Sequence, residues 1–230
     1  MIKGRNSELA SSVFLFFAIF PEDIPVPAGF FYVVTPLLAD YEDKKKANLL
    51  IGRSLSTLLK FNLLKGSLSV GSGVFMHDIV RDYVIHQHSP EELRALQKSV
   101  LGAILAARPE PDGFPTSAFA APGTFEGYVS RQLYWHFRGA LEEGEDPPDA
   151  WLAHPDSVIK ANVAMALGLD TLMALSDRHE SAGELVRAAQ ASWAGSLLKS
   201  LSQSMVNDLV YRTVDLLERA DDKEELPLYV

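Results

Sequence analysis

His77 and Asp78 stand side by side in the run Phe75-Met76-His77-Asp78-Ile79-Val80-Arg81-Asp82-Tyr83. An imidazole is the side chain best suited to exchange protons or bond to phosphate near neutral pH. Asp78 is expected to cap a helix start, its carboxylate accepting hydrogen bonds from the first free backbone N–H groups. Ile79, Val80, Tyr83 and Val84 then follow at the spacing of a buried stripe. His77, preceded by Met76, falls just ahead of that helix, at a corner from which a ring nitrogen can reach outward to a phosphate. Asp78, Asp82 and His86 also repeat at i, i+4, i+8, with His88 close by, but lack any partner set to orient them. They read as a solvated polar stripe, and no metal site is expected.

Other chemistries lack their residues. Gly66 and Gly71 have the G-x-x-x-x-G spacing of a phosphate loop, yet Ser72-Gly73 follow where Lys-Ser/Thr is required, so the stretch reads as a hairpin turn. Ser69 is preceded at two residues by Ser67 rather than Gly, and neither a Cys nucleophile nor an H-E-x-x-H run occurs. The chain is not expected to be an enzyme. With 47% hydrophobic and 22% charged residues the composition is that of a soluble globular protein. The absence of Cys excludes disulfides and thiolate metal sites and fits a reducing, cytoplasmic setting. The apolar run Val13–Phe20 is far below the roughly 18–20 residues needed to span a bilayer, and is read as a buried helix with no membrane partner. Net charge is −9, unevenly divided: residues 1–108 carry 12 Lys/Arg and 10 Asp/Glu, residues 109–230 carry 9 and 20. Nucleic acid is therefore an unlikely partner for the chain, and above all for its second half.

The elements that would position His77 are legible from periodicity and breakers. Ser7–Phe20 reads as a helix, Pro21–Pro27 as a rigid connector, and Ala28–Leu38 as a second helix. A charged turn at 41–46 leads to a third helix, Lys45–Leu59, with Leu49, Leu50, Leu55, Leu58 and Leu59 as its apolar set. Leu63–Val70 and Val74–Met76 form a two-stranded wing around a Gly-rich turn. Together these predict a winged-helix domain over 1–88. Ser89-Pro90-Glu91-Glu92 opens a connecting helix, 89–107, with Ser as N-cap. Residues 108–123 read as a Pro/Gly/Ala-rich linker, and 124–230 as an α-helical arm. That arm starts with an aromatic helix over Thr124–Glu142, in which His136 is a packing or surface residue. Breaks are expected at His154-Pro155 or Gly168, and near Gly195. The fold class is mainly α: a winged helix followed by a helical bundle or helical-repeat arm.

Phe16 to Pro27 resembles the start of the winged-helix subdomain of NB-ARC-type STAND NTPases, the class of plant immune receptors and apoptosome adaptors. Arg53-Ser54-Leu55 resembles their R-S-L segment, and Met76-His77-Asp78 matches their M-H-D motif in all three residues, after a hairpin and before a helix. The resemblance covers about residues 8–88. It implies that His77 approaches the β-phosphate of ADP held by an upstream nucleotide domain, locking a closed, inactive state, with Asp78 and Met76 placing it. The family's P-loop and Walker B residues are not in this chain, so ADP or ATP is expected only with a nucleotide-binding domain supplied in cis or trans. Other protein domains would be met through the helical arm. The alternative reading is a winged-helix nucleic-acid-binding protein, its third helix meeting a phosphate backbone through Lys44–Lys46, Arg53 and Lys60.

Overall fold

The computed structural model describes residues 5–38, 43–69, 71–107, 121, 123–142 and 144–220. Among these the chain is mainly helical, with one small antiparallel sheet. It divides into two compact units, the first holding α1–α6 and the second α7–α11. The charged turn expected at 41–46 falls partly, and the 108–123 linker almost wholly, outside the described residues.

The first unit opens with α1 (Arg5–Ala18), followed by β1 (Val26–Pro27), α2 (Ala28–Leu38) and α3 (Lys44–Lys60). Then come β2 (Lys65–Gly66), β3 (Gly73–Phe75), α4 (Asp78–Ile85), α5 (Pro90–Ala107) and α6 (Phe125–Ala140). The sheet order is β1-β3-β2, antiparallel throughout, with Val26 opposite Val74 and Lys65 opposite Phe75. The wing expected as two strands is thus a three-stranded sheet, and the Pro-rich connector supplies the third. Its prolines leave Val26 able to pair, because only the ladder position of Pro27 lacks a donor and β1 lies at an edge. Gly73 permits this approach: a Cβ there would sit 2.7 Å from Pro25 Cβ and 2.9 Å from the Val26 carbonyl oxygen.

An aromatic cluster fills the core of this unit. Phe16 lies 4.8 Å from Phe20, Phe17 lies 5.4 Å from Phe31, and Phe30 lies 5.0 Å from Tyr128, all between ring centroids. Such tilted and edge contacts add about 0.5–1.5 kcal/mol each beyond area burial. Because Phe30 and Phe20 pack on Tyr128 and His136 of α6, that helix belongs with the N-terminal half. The sequence reading had placed 124–140 in the C-terminal arm. The start of α5 is the expected capping box: Glu92 N–H donates to Ser89 Oγ at 3.2 Å, and Ser89 N–H to Glu92 Oε2 at 2.9 Å.

The second unit comprises α7 (Asp149–Leu152), α8 (Ser157–Leu167), α9 (Leu169–Ser181), α10 (Leu185–Ser196) and α11 (Gln203–Ala220). Breaks occur at both expected positions, His154-Pro155 and Gly168. Gly168, at φ 79°, turns α8 into α9 through 101°. The last break falls at 197–202, just after the expected Gly195. In α10 the buried face is Ala188, Ala189, Ala191, Ala194 and Gly195, which lets α9 and α11 approach closely. No single helix among the described residues is long and apolar enough to cross a membrane.

Candidate functional site

The segment 76–78 joins the end of β3 to the start of α4. Met76 is only 3% exposed and belongs to the core. It therefore anchors the backbone of the segment just ahead of His77. His77, with 47% of its side chain exposed, occupies the N-cap position itself, at φ −69° and ψ 143°, and its ring makes no capping bond. Asp78 is consequently the first helical residue and not the N-cap. Its Oδ1 accepts from the Ile79 N–H at 2.7 Å and meets His77 Nδ1. A carboxylate in the first turn is favoured by the helix dipole. With Nδ1 engaged by Asp78, Nε2 is the ring atom left for an external partner. The two side chains meet at this corner, and the helix starts one residue earlier than expected.

The apolar stripe on α4 also differs. Ile79 and Tyr83 are 73% and 66% exposed, whereas Val84 is buried and Val80 is half-buried. Two i, i+4 pairs interleave here, 79/83 and 80/84, and the spacing alone does not say which faces inward. Inward orientation is decided by Arg81, whose side chain reaches back to the end of α1. Its Nε donates to the carbonyls of Ala18 and Phe20 at 3.0 Å each, and Nη1 bonds Glu22 at 2.9 Å. The guanidinium also lies over the Trp135 ring at 5.5 Å, a cation–π arrangement.

Behind this contact a polar chain runs through the core. Trp135 Nε1–H and Gln97 Nε2–H both donate to the Ile19 carbonyl, at 2.9 and 2.7 Å. Since the Gln97 amide donates there, its Oε1 accepts from His136 Nδ1–H at 2.6 Å, and His136 Nε2 accepts from Tyr128 O–H at 2.9 Å. Every member thus has a partner, as buried polar groups require. His136 is fully buried, and desolvation lowers its pKa to about 3, so the ring is neutral. Burial, with Tyr134 adding to it, pushes the Tyr128 phenol well above its ordinary value. The carbonyls of residues 18–20, orphaned by the end of α1, are the reason for this convergence. Sequence reasoning placed His136 only as packing or surface, and it missed Arg81, Gln97 and Trp135. Arg81 alone had a signal, being three residues beyond Asp78; Gln97 and Trp135 act across 78 and 116 residues of chain.

In α3, Arg53 is exposed while Ser54 and Leu55 are buried. Of the polar stripe on α4, His86 Nδ1–H donates to the Asp82 carbonyl at 2.7 Å. No group of three His, Cys, Asp or Glu suited to hold a metal occurs among the described residues. In the second unit a shallow cleft of about 640 Å³ lies beside Gly183, Glu184, Arg187 and Arg219. Both arginines there are already paired, Arg187 with Asp149 and Glu184, Arg219 with Glu180 and Asp215. Comparison with protein-family models, curated proteins and solved structures returns no match.

Proposed function

We propose that this chain is the regulatory part of a STAND-type signalling NTPase, a winged helix followed by a helical arm, in which His77 senses ADP bound by a nucleotide domain. The observation that carries the reading is the corner at 76–78. A buried Met76 fixes the backbone, Asp78 holds one ring nitrogen of His77, and the ring stands half-exposed at a helix start. The order helix, strand, helix, helix, strand, strand, with β1-β3-β2 pairing, supports the winged-helix reading of 1–88. The five helices from Asp149 onward support a helical arm. The function follows from differential contact: a group that touches ADP in only one arrangement of domains biases the switch toward that arrangement. The chain itself supplies no phosphate loop, so hydrolysis is not assigned to it.

The test joins the chain to an NB-ARC-type nucleotide domain, covalently or by mixing, and follows release of a fluorescent ADP. His77→Ala is expected to speed release about tenfold, equivalent to losing one hydrogen bond to a charged group of about 1.5 kcal/mol. Unaltered release in that variant would take His77 out of the site.

A further inference from the structure

One surface of the first unit has a charge opposite to that of the whole chain. From Lys44 to His77 the sequence carries five Lys and one Arg and no Asp or Glu at all. Four of the described charges, Lys45, Lys46, Arg53 and Lys60, stand on the exposed side of α3, and Lys65 lies on β2. Ala47, Ile51, Leu55 and Leu58 turn inward, while Lys45, Lys46, Arg53, Lys60 and Lys65 are all exposed. Lys46, Arg53 and Lys60 repeat every seven residues, so they stand about 10.5 Å apart along nearly one line of the helix. Among the described residues Asp43 is the carboxylate at this end, and it caps the helix, accepting from the backbone N–H groups of Lys45 and Lys46 at 2.9 and 3.2 Å. Among the described residues Lys45, Arg53, Lys60 and Lys65 form no ion pair with a carboxylate.

We infer that this face binds duplex nucleic acid through its phosphate backbone, independently of any role for His77. A 17-residue helix is about 25 Å long, and an α-helix fits the roughly 12 Å major groove with its flanking cations against the strands. Protein interfaces are depleted in Lys, whereas phosphate neutralisation needs only positive charge. Four exposed Lys to one Arg therefore favour a polyanion over a protein partner. The exposed positions lack a run of Asn, Gln or Arg able to read base edges, so binding is indifferent to sequence. The overall charge of −9 is unevenly divided, residues 1–108 carrying 12 Lys/Arg against 10 Asp/Glu, a net of +2.

Fluorescence anisotropy of a labelled 20-bp random-sequence DNA duplex, titrated with the full chain, tests the inference. Four or so neutralised phosphates imply an affinity loss of about a hundredfold between 50 and 200 mM salt. Arg53→Gln with Lys60→Gln removes two charges from an exposed face without reversing them. It should flatten the log–log salt slope by about 2 and weaken binding about tenfold at low salt. Lys199→Glu, on an exposed position of the second unit, should change neither. No anisotropy change at 50 mM salt would overturn the inference, as would equal losses in the α3 and Lys199 variants. Displacement of the duplex by polyglutamate at equal charge concentration would instead make the face a docking surface for acidic protein.

Discussion

His136 is the residue whose state is most tightly prescribed. It is enclosed by Phe20 at 4.9 Å and Phe30 at 6.3 Å between ring centroids, and bonded on both nitrogens to neutral partners, Tyr128 and Gln97. Protonation would force a second N–H against a phenol that is already donating, in a site without a carboxylate on the ring. The folded pKa of about 3 lies below the roughly 6.5 of an unfolded chain, so between those values the unfolded state binds the extra proton. Stability from this group is complete above pH 6.5 and falls with pH by about 1.4 kcal/mol per unit until about pH 3. Urea midpoints measured from pH 7 to pH 5 should decline in the native protein. In His136→Gln, where no proton is taken up at this position, the decline should be shallower although the variant starts less stable. Parallel curves would mean that the ring titrates normally in the fold.

At the scale of elements, α4 is short, and its eight residues bury only Val84 fully. Apolar area cannot be what seats it. Arg81 does so, by satisfying two carbonyls of the α1 terminus and stacking on α6. Arg81→Met keeps the stem but leaves both acceptors and Glu22 unpartnered, and is expected to cost about 2–3 kcal/mol. Arg81→Lys should recover less than half, because a single ammonium cannot reproduce the planar fork. Hydrogen exchange would show the α4 amides losing protection before those of α1. The pattern explains what was readable beforehand. Helices α2, α3 and α5 follow from local signals: Pro and Gly punctuation, an apolar period, a capping box. The approximate place of His77 follows from the same signals. Strand β1 and the inward side of α4 were not readable. Both depend on partners far along the chain, Val74 for one and the carbonyls of 18–20 for the other, and neither partner alters local composition. The glycine that admits β1 carries the same lesson: Gly73→Ala would drive a Cβ into Pro25 and the Val26 carbonyl, and should abolish the β1–β3 pairing seen in amide exchange.

For the molecule as a whole, the division into two units raises the question of whether the second is a domain in its own right. Ala188, Ala189, Leu216 and Leu217 form a buried cluster against which Leu185 and Trp193 pack. Ser176 Oγ donates to the Ala188 carbonyl at 2.9 Å and Ser192 Oγ to that of Leu209 at 3.1 Å, tying α10 to both neighbouring helices. Across the outside, Arg212 bridges Asp177 and Glu180, and Arg219 bridges Glu180 and Asp215, so that α9 and α11 are braced over α10. These exposed pairs add little individually, and the small-residue packing beneath them is the main term. A fragment comprising residues 141–230 is therefore expected to be helical and to melt in one cooperative step. Its unfolding enthalpy should be about 60 kcal/mol, the scale for some 90 residues. Ala189→Leu, which inserts a side chain where two helices meet a third, should lower its stability by about 1–3 kcal/mol without changing its helix content. A fragment that unfolds gradually, or binds hydrophobic dyes before melting, would show that α7–α11 hold their packing only with the rest of the chain present.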